Sequence, residues 1–244
     1  MPEPIITATG IHKIYDTGTV KVNALRGVNL TVERGEMVAI MGPSGCGKTT
    51  MLNCLSGLDE IESGQVVIDG VVLHDLPDDN RSDYRARNMG FVFQLYNLLP
   101  VLSAVENVEL PLLVSGVRPS EARTRSIDLL ELVGLSDRAQ HLPGELSGGQ
   151  RQRLLIARAL VARPKMVFFD EATSALDNRT QAVVTEALDR RRVTRLVIAH
   201  RLSTIRNADR LYVLDRGRIA QQGAFDELST TPGIFRDLIS RQLV

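Results

Sequence analysis

The sequence lacks most of the features that mark secreted, membrane-spanning or polyanion-binding proteins. Its 244 residues contain no tryptophan and only two cysteines, Cys46 and Cys54, which excludes a disulfide framework and favours a reducing compartment. Lysine plus arginine number 29, as do aspartate plus glutamate, and this balance argues against a general binder of nucleic acid. No apolar run approaches the ~20 residues that span a bilayer, and the start, MPEPIITATG, lacks the pattern of a signal peptide. We therefore expect a soluble protein.

What the sequence does contain is an alternation of short strand patterns with helical patterns. Strands are predicted over IITATGIHKIY, NLTVERG, MVAIMG, VVIDGVVL, MGFVFQ, KMVFFD, RLVIAH and RLYVLDRGRIAQQG. The uninterrupted apolar runs VAIM, MVFF and LVIA are typical of strands buried on both faces of a mostly parallel sheet. The pattern predicts a layered α/β domain whose ligands bind at the carboxyl ends of strands.

The middle of the chain follows a different pattern. From about Ser103 to Ala162 no strand is predicted, and SEARTRSIDLLELVGL forms an amphipathic helix ending near Gly134. Its apolar face is expected to include Ile127, Leu130 and Val133. This span is interpreted as a helical subdomain inserted into the α/β core.

A complete phosphate-binding loop follows the predicted strand MVAIM and precedes a helix. Its residues are Gly42, Pro43, Ser44, Gly45, Cys46, Gly47, Lys48, Thr49 and Thr50, which fit G-x-x-x-x-G-K-[ST]. The glycines allow backbone N–H groups to surround phosphates at a helix N-terminus. Lys48 is expected to reach the β- and γ-phosphates and Thr49 to coordinate Mg²⁺.

The run MVFFDEA supplies a second part of the same chemistry. Asp170 ends an apolar strand, where it can hold Mg²⁺, and Glu171 beside it can orient and deprotonate an attacking water. Such a pair by itself often does no more than begin a turn. Combined with the phosphate loop, it predicts hydrolysis of a nucleoside triphosphate.

A second glycine-rich turn, LSGGQ, precedes another helix. Ser147, Gly148, Gly149 and Gln150 can form a capped helix start, and they can also present N–H groups to an anion. In a phosphate-loop protein the string resembles the signature of ATP-binding-cassette (ABC) ATPases. That resemblance implies ATP and Mg²⁺ as ligands and a head-to-tail homodimer, in which the signature of one copy closes over the γ-phosphate held by the other.

The resemblance also assigns single positions. It implies that Tyr15 stacks on adenine and that Gln94 contacts Mg²⁺ and water. It further implies that Asp177 belongs to a loop crossing the dimer interface, and that His200 contacts the γ-phosphate and the attacking water. The catalytic set implied is therefore Glu171, His200 and Lys48, with Thr49, Gln94 and Asp170 as metal ligands.

The implied fold is an ABC-type P-loop NTPase core with a mostly parallel sheet, an N-terminal antiparallel β subdomain and an inserted helical signature subdomain. A single domain over residues 1–244 would place core and β subdomain at about 1–95 and 164–244, and the helical subdomain at about 96–163.

The resemblance to individual ABC groups is mixed. Up to about Lys165 the chain is similar to free-standing ATPases of the MacB/LolD type, whereas EATSALD and IAHRLSTIRNADRLYVL are similar to exporters with fused membrane domains. This implies an ATPase at the cytoplasmic face of the membrane that drives a separate permease in export, with an extracytoplasmic adaptor as a further possible partner. Three alternatives remain: an importer ATPase, an ABC ATPase acting on DNA or ribosomes, and a non-catalytic module that uses ATP to dimerise.

Overall fold

The computed structural model describes residues 3–93, 97–170, 186, 188–189, 192–199 and 202–240. These residues fall into two compact units, one built from 1–81 and 194–244 and the other from 82–193. The predicted helical subdomain at about 96–163 falls within the range of the second unit, and its boundaries stay a prediction.

Each predicted strand segment overlaps a strand of the structure, but β2 begins at Lys21, before the predicted NLTVERG. In chain order they are β1 (Ile6–Asp16), β2 (Lys21–Val32), β3 (Met37–Met41), β4 (Ser63–Ile68), β5 (Val71–Val72), β6 (Met89–Val92), β7 (Met166–Asp170), β8 (Thr194–Ile198), β9 (Arg210–Asp215) and β10 (Arg218–Gly223). The helices, numbered in the same way over the described residues, are α1 (Lys48–Ser56), α2 (Asp78–Asn88), α3 (Ala104–Val114), α4 (Pro119–Leu132), α5 (Gly148–Leu160), α6 (Leu202–Arg206), α7 (Phe225–Thr230) and α8 (Ile234–Ser240).

The first unit holds an antiparallel sheet in the order β2-β1-β4-β5. It also holds four strands in the order β10-β9-β3-β8. β3 pairs in parallel with both β8 and β9, whereas β9 and β10 form an antiparallel hairpin. Because β3 is covered on both faces, its residues Val38 to Met41 are all buried and all apolar.

The second unit combines the parallel pair β6 and β7 with the helices α3, α4 and α5. No strand occurs between residues 97 and 165, as the sequence predicted for this part of the chain. α3 begins with a capping box, in which Ser103 accepts from the Glu106 N–H and the Glu106 carboxylate accepts from Ser103.

One expectation about α4 is wrong. Ile127 was assigned to its apolar face, yet 46 % of that residue is exposed, and the buried row is Ala122, Ser126 and Leu130. These positions are four residues apart, so they lie along one side of the helix. Ala122 and Ser126 are small, so the backbone of α4 can approach its neighbours closely. Ile127 lies outside this row.

No helix among the residues described above combines the length and the apolar character needed to cross a bilayer.

Candidate functional site

The phosphate loop joins β3 to α1 and contains three glycines. At two of them, any side chain would clash with a backbone oxygen nearby. A Cβ on Gly42 would lie 2.1 Å from the Leu214 carbonyl oxygen, and one on Gly47 would lie 2.6 Å from the Ala24 oxygen. Gly45 has open space around it but a φ of +74°. The loop therefore has a left-handed, close-packed shape that leaves a cradle where side chains would otherwise stand.

The helix that follows the loop starts without a side-chain cap. Gly47 is the N-cap of α1 and, as a glycine, makes no side-chain cap bond to the helix. The N–H groups at a helix N-terminus attract anions, and the helix dipole adds to that attraction. The local geometry therefore fits a bound phosphate chain.

Lys48 is folded back onto its own loop. Its Nζ donates to the carbonyl oxygens of Gly42 at 3.0 Å and Pro43 at 2.9 Å, and the residue is only 7 % exposed. An ammonium group has three N–H donors, and no third partner lies among the described residues. The loop thus holds a buried positive charge at its centre, which is the feature a triphosphate needs.

Cys46 lies inside the loop rather than on its surface. Burial raises the pKa of its thiol, so the neutral form is favoured, and both cysteines of the chain are free and buried. The Cys46 carbonyl accepts from the Gly217 N–H at 3.0 Å, which ties the phosphate loop to the β9–β10 turn.

Tyr15 lies near the end of β1 and is braced through its hydroxyl. The hydroxyl donates to Asp59 Oδ2 at 2.6 Å, and the Lys13 Nζ lies 5.1 Å from the ring centroid while pairing with Asp59 Oδ1 at 2.7 Å. Burial, followed by the bond to Asp59, raises the pKa of Tyr15, and a bond from Thr50 opposes this. The ring is therefore held in one orientation while 38 % of the residue stays exposed.

Sequence reasoning missed Lys13 and Asp59 as parts of this arrangement. Burial would raise the pKa of Asp59, but Lys13 and Tyr15 outweigh it and hold that pKa below its ordinary value. The available signal was the strand period of two, which places Lys13 and Tyr15 on the same face of β1. Asp59 comes from a turn after α1 that no periodicity marks.

The signature turn closes on itself. Ser147 Oγ accepts from the Gln150 N–H at 3.3 Å, and Gln150 Oε1 accepts from the Ser147 N–H at 2.8 Å, so the two residues form a reciprocal capping box at the start of α5. Ser147 and Gly148 are exposed, whereas Leu146 just before them is buried. The structural reading of this turn as a capped helix start is therefore confirmed, and the turn faces solvent.

Several predicted site residues lie outside the described part of the chain. These are Gln94, Glu171, Asp177 and His200. Thr49 is exposed in the first turn of α1, and Asp170 is partly buried at the carboxyl end of β7. A hydroxyl and a carboxylate oxygen are ligand types that Mg²⁺ accepts, so both side chains fit the predicted metal.

One buried side chain holds the loop that precedes α3. Asn107 is fully buried in α3, and its amide nitrogen donates to the carbonyl oxygens of Leu99, Leu102 and Ser103 at 2.9–3.1 Å. Its Oδ1 accepts from the Leu99 N–H at 2.9 Å. This bonding fixes a loop that exposes Leu99 by 41 % and Val101 by 80 %. A lone asparagine within the apolar run AVENVELPLLV was the signal that could have identified it.

Comparison with known proteins places this geometry in context. A family model described as "ABC transporter" matches residues 25–174. The lipoprotein-releasing system ATP-binding protein LolD of Saccharophagus degradans is 40 % identical over 227 residues, covering 91 % of this chain and all of that protein.

Two solved structures share the fold. A dimeric, post-hydrolysis state of the ATP-binding cassette MJ0796 with ADP and Pi has a TM-score of 0.84 at 38 % identity, covering 90 % of this chain and 98 % of the other. A bacterial Atm1-family ABC exporter with ATP bound has a TM-score of 0.83 at 31 % identity, covering 99 % of this chain and 42 % of the exporter. The predicted α/β cassette, with its antiparallel sheet and mostly parallel sheet, is thereby confirmed.

Proposed function

Because the chain belongs to the ABC transporter family, we propose that two copies close head to tail over ATP and drive a separate membrane permease. The chain is an ATP-binding, ATP-hydrolysing subunit of an ABC transporter. The observation that carries the head-to-tail proposal is the pair of glycine-rich turns. One is an open phosphate cradle, and the other is an exposed turn with its own cap already formed.

Each turn has a part in the proposed reaction. The loop N–H groups and Lys48 bind and orient the phosphates, and the braced ring of Tyr15 stacks on the base. The Ser147–Gln150 turn of the partner copy covers the terminal phosphate. Glu171 orients and deprotonates the attacking water, His200 contacts the same water, and Asp177 lies at the dimer interface. Thr49, Gln94 and Asp170 would hold Mg²⁺, which neutralises phosphate charge when bound.

Transport in the export direction is the second part of the proposal. It is supported by the LolD relative, whose name describes a lipoprotein-releasing system, and by the similarity to an Atm1-family exporter. The ATPase would sit at the cytoplasmic face of the membrane through its permease, with an extracytoplasmic adaptor joining the complex.

The loop held by Asn107 is the proposed contact with the permease. Leu99 and Val101 are exposed apolar side chains on a loop whose backbone is fixed by four hydrogen bonds, so little conformational entropy is lost on docking. Val101→Glu is expected to prevent co-purification with the permease in detergent while ATP hydrolysis by the isolated subunit is unchanged. Val20→Glu, at a valine that is 58 % exposed in the first unit, is the matched control. Equal recovery of the permease with both variants would contradict the assignment.

The head-to-tail proposal is tested with Glu171→Gln. Because a general base contributes roughly 10²–10⁴ in rate, phosphate release should fall by that factor. With ATP and Mg²⁺ the variant should accumulate as a dimer in size-exclusion chromatography with light scattering, since closure depends on ATP and opening on hydrolysis. A variant that stays monomeric with nucleotide demonstrably bound would contradict head-to-tail closure.

A further inference from the structure

A polar groove lies in the first unit between β2 and β10, away from the residues assigned above. It has a volume of about 370 Å³, within the range of ~300–1,000 Å³ typical of small-molecule sites. β2 is the outer strand of the antiparallel sheet, and β10 is the outer strand next to β9. The groove is therefore walled by two strand edges whose outward backbone groups have no neighbouring strand in their sheets.

The groove presents positive charge and hydrogen-bond donors. Arg26 and Arg218 lie on opposite walls, and no aspartate or glutamate lines it. The Nε of Arg26 donates to the Asn23 carbonyl oxygen at 3.3 Å, and neither guanidinium has a carboxylate partner among the described residues. Two guanidinium groups without counter-ions favour an oxyanion ligand, since their planar N–H pairs match its oxygen atoms.

Asn29 adds to this donor character. Its Oδ1 already accepts from the Gly10 N–H at 2.7 Å, and its amide nitrogen makes one contact, to the Gly27 carbonyl oxygen at 3.3 Å. An amide nitrogen carries two hydrogens, so a second donor remains. The side-chain groups that β2 offers to a ligand are therefore donors, which an anion requires.

The groove is closed at one end. The Arg26 N–H donates to the Gly217 carbonyl oxygen at 2.8 Å, so the two strands meet at the β9–β10 turn. A peptide strand cannot run through a groove that ends in a hydrogen bond between its walls. The shape therefore favours a compact anion over an acidic peptide.

The closed end is also connected to the phosphate loop. Gly217 donates its N–H to the Cys46 carbonyl oxygen at 3.0 Å while its own carbonyl receives the Arg26 N–H. Its φ is +78°, and a Cβ there would lie 2.6 Å from the Ala24 oxygen, so the turn has no freedom to shift alone. A ligand that draws Arg26 and Arg218 together acts on a residue bonded to the phosphate loop.

We propose that this groove binds a phosphate ester between Arg26 and Arg218, and that its occupation weakens ATP binding through Gly217. The second half rests on the proposed role of the phosphate loop. Weaker binding is expected because a second anion reduces the positive potential near the loop and the turn is pulled toward the groove.

Binding is tested by amide NMR titration of the whole chain with glycerol 3-phosphate, with glycerol as the uncharged control. Saturable shifts of Gly27 and Ala220 are expected, and Arg26→Gln with Arg218→Gln should weaken them at least tenfold. The double variant Arg216→Gln with Arg236→Gln removes the same charge from exposed arginines outside the groove and should change affinity less than twofold. Amide shifts confined to Gly45 and Gly47 would overturn the site. Equal losses of affinity for glycerol 3-phosphate in the two double variants would overturn it as well.

Two further titrations identify the source of the ligand. Vesicles containing phosphatidylglycerol, compared with zwitterionic phosphatidylcholine alone, show whether an anionic lipid headgroup is the ligand. Binding of either the lipid or the soluble ester that depends on both arginines supports the site. A tetraglutamate peptide that binds the groove more tightly than glycerol 3-phosphate would overturn the assignment of the ligand class.

The connection to the phosphate loop is measured as the affinity for ATP at saturating glycerol 3-phosphate. The wild type should bind ATP at least threefold more weakly, and the Arg26/Arg218 double variant should not respond. Unchanged or tighter ATP binding in the wild type would overturn transmission through Gly217. The groove titration requires neither hydrolysis nor dimerisation, so its failure is distinct from failure of the head-to-tail proposal.

Discussion

The two glycine-rich turns of this protein both precede a helix, yet they treat the helix N-terminus in opposite ways. At α1 the loop bends through left-handed glycines, and its N-cap, Gly47, makes no side-chain cap bond. At α5 the serine and glutamine of the signature cap each other, and Gly148 and Gly149 already belong to the helix. Similar composition therefore produces an open anion cradle in one case and a closed, exposed cap in the other.

The proposed head-to-tail closure gives the two turns different roles. The α1 turn carries its own buried cation, Lys48, and needs only a ligand to complete it. The α5 turn lacks a cation and is stable without a ligand, so it suits a contact that is made and released as another copy approaches. Breaking each turn separately should accordingly give different losses.

The largest expected effect is from Lys48→Ala. Loss of a charge-assisted bond to a phosphate costs about 3 kcal/mol, or roughly 100-fold in affinity. Fluorescent ATP-analogue binding is the measurement, and Lys21→Ala, at a side chain that is 75 % exposed, is the control. An affinity for Lys48→Ala within threefold of the wild type would contradict the role given to the loop.

A second prediction separates the glycines within the open turn. Gly42→Ala should cost about 3 kcal/mol of unfolding free energy, because its Cβ would overlap a backbone oxygen 2.1 Å away. Gly45→Ala meets no atom within 4 Å and should cost about 1 kcal/mol, from its left-handed φ alone. Urea unfolding of both variants gives the comparison, and equal losses would show that the space around Gly42 is not decisive.

The closed turn is tested by comparing two helix caps of the same design. Ser147→Ala and Ser103→Ala each remove the serine of a capping box and should each cost about 1 kcal/mol of unfolding free energy. Only Ser147→Ala should also lower ATP hydrolysis, by at least tenfold, because Ser103 is not a signature residue. If both variants hydrolyse ATP at the wild-type rate, the signature turn acts only as a cap.

The smallest expected effect is a difference in pH dependence between the same two caps. The Ser103 hydroxyl and then its N–H hold the pKa of Glu106 below its ordinary value. Its stabilisation is therefore complete above the unfolded pKa of about 4.3 and is lost as pH falls through the lower folded value. The α5 cap uses Gln150 and does not titrate.

Glu106→Gln measures this contribution. The variant should lose part of the acid dependence of unfolding between about pH 5 and pH 3, followed by circular dichroism in urea. An unchanged acid slope would show that the carboxylate adds nothing beyond what an amide supplies.

Much of the fold and of the open turn could be predicted from the sequence, because strand runs, turn glycines and the lysine of a phosphate loop are local patterns. The side of α4 that is buried could not, since Ile127 fits the helical period as well as Leu130 does and only packing distinguishes them. Asp59 likewise escaped prediction because it reaches Tyr15 from 44 residues away in the chain.

The sequence by itself determined which two turns can meet a phosphate, because glycine, lysine and serine at fixed spacing limit what the local backbone can form. Only the tertiary structure decided which turn is open and which is capped, how Tyr15 is braced, and that Arg26 and Arg218 line one groove between β2 and β10. Those outcomes depend on atoms brought together from distant parts of the chain, and no local pattern encodes that proximity.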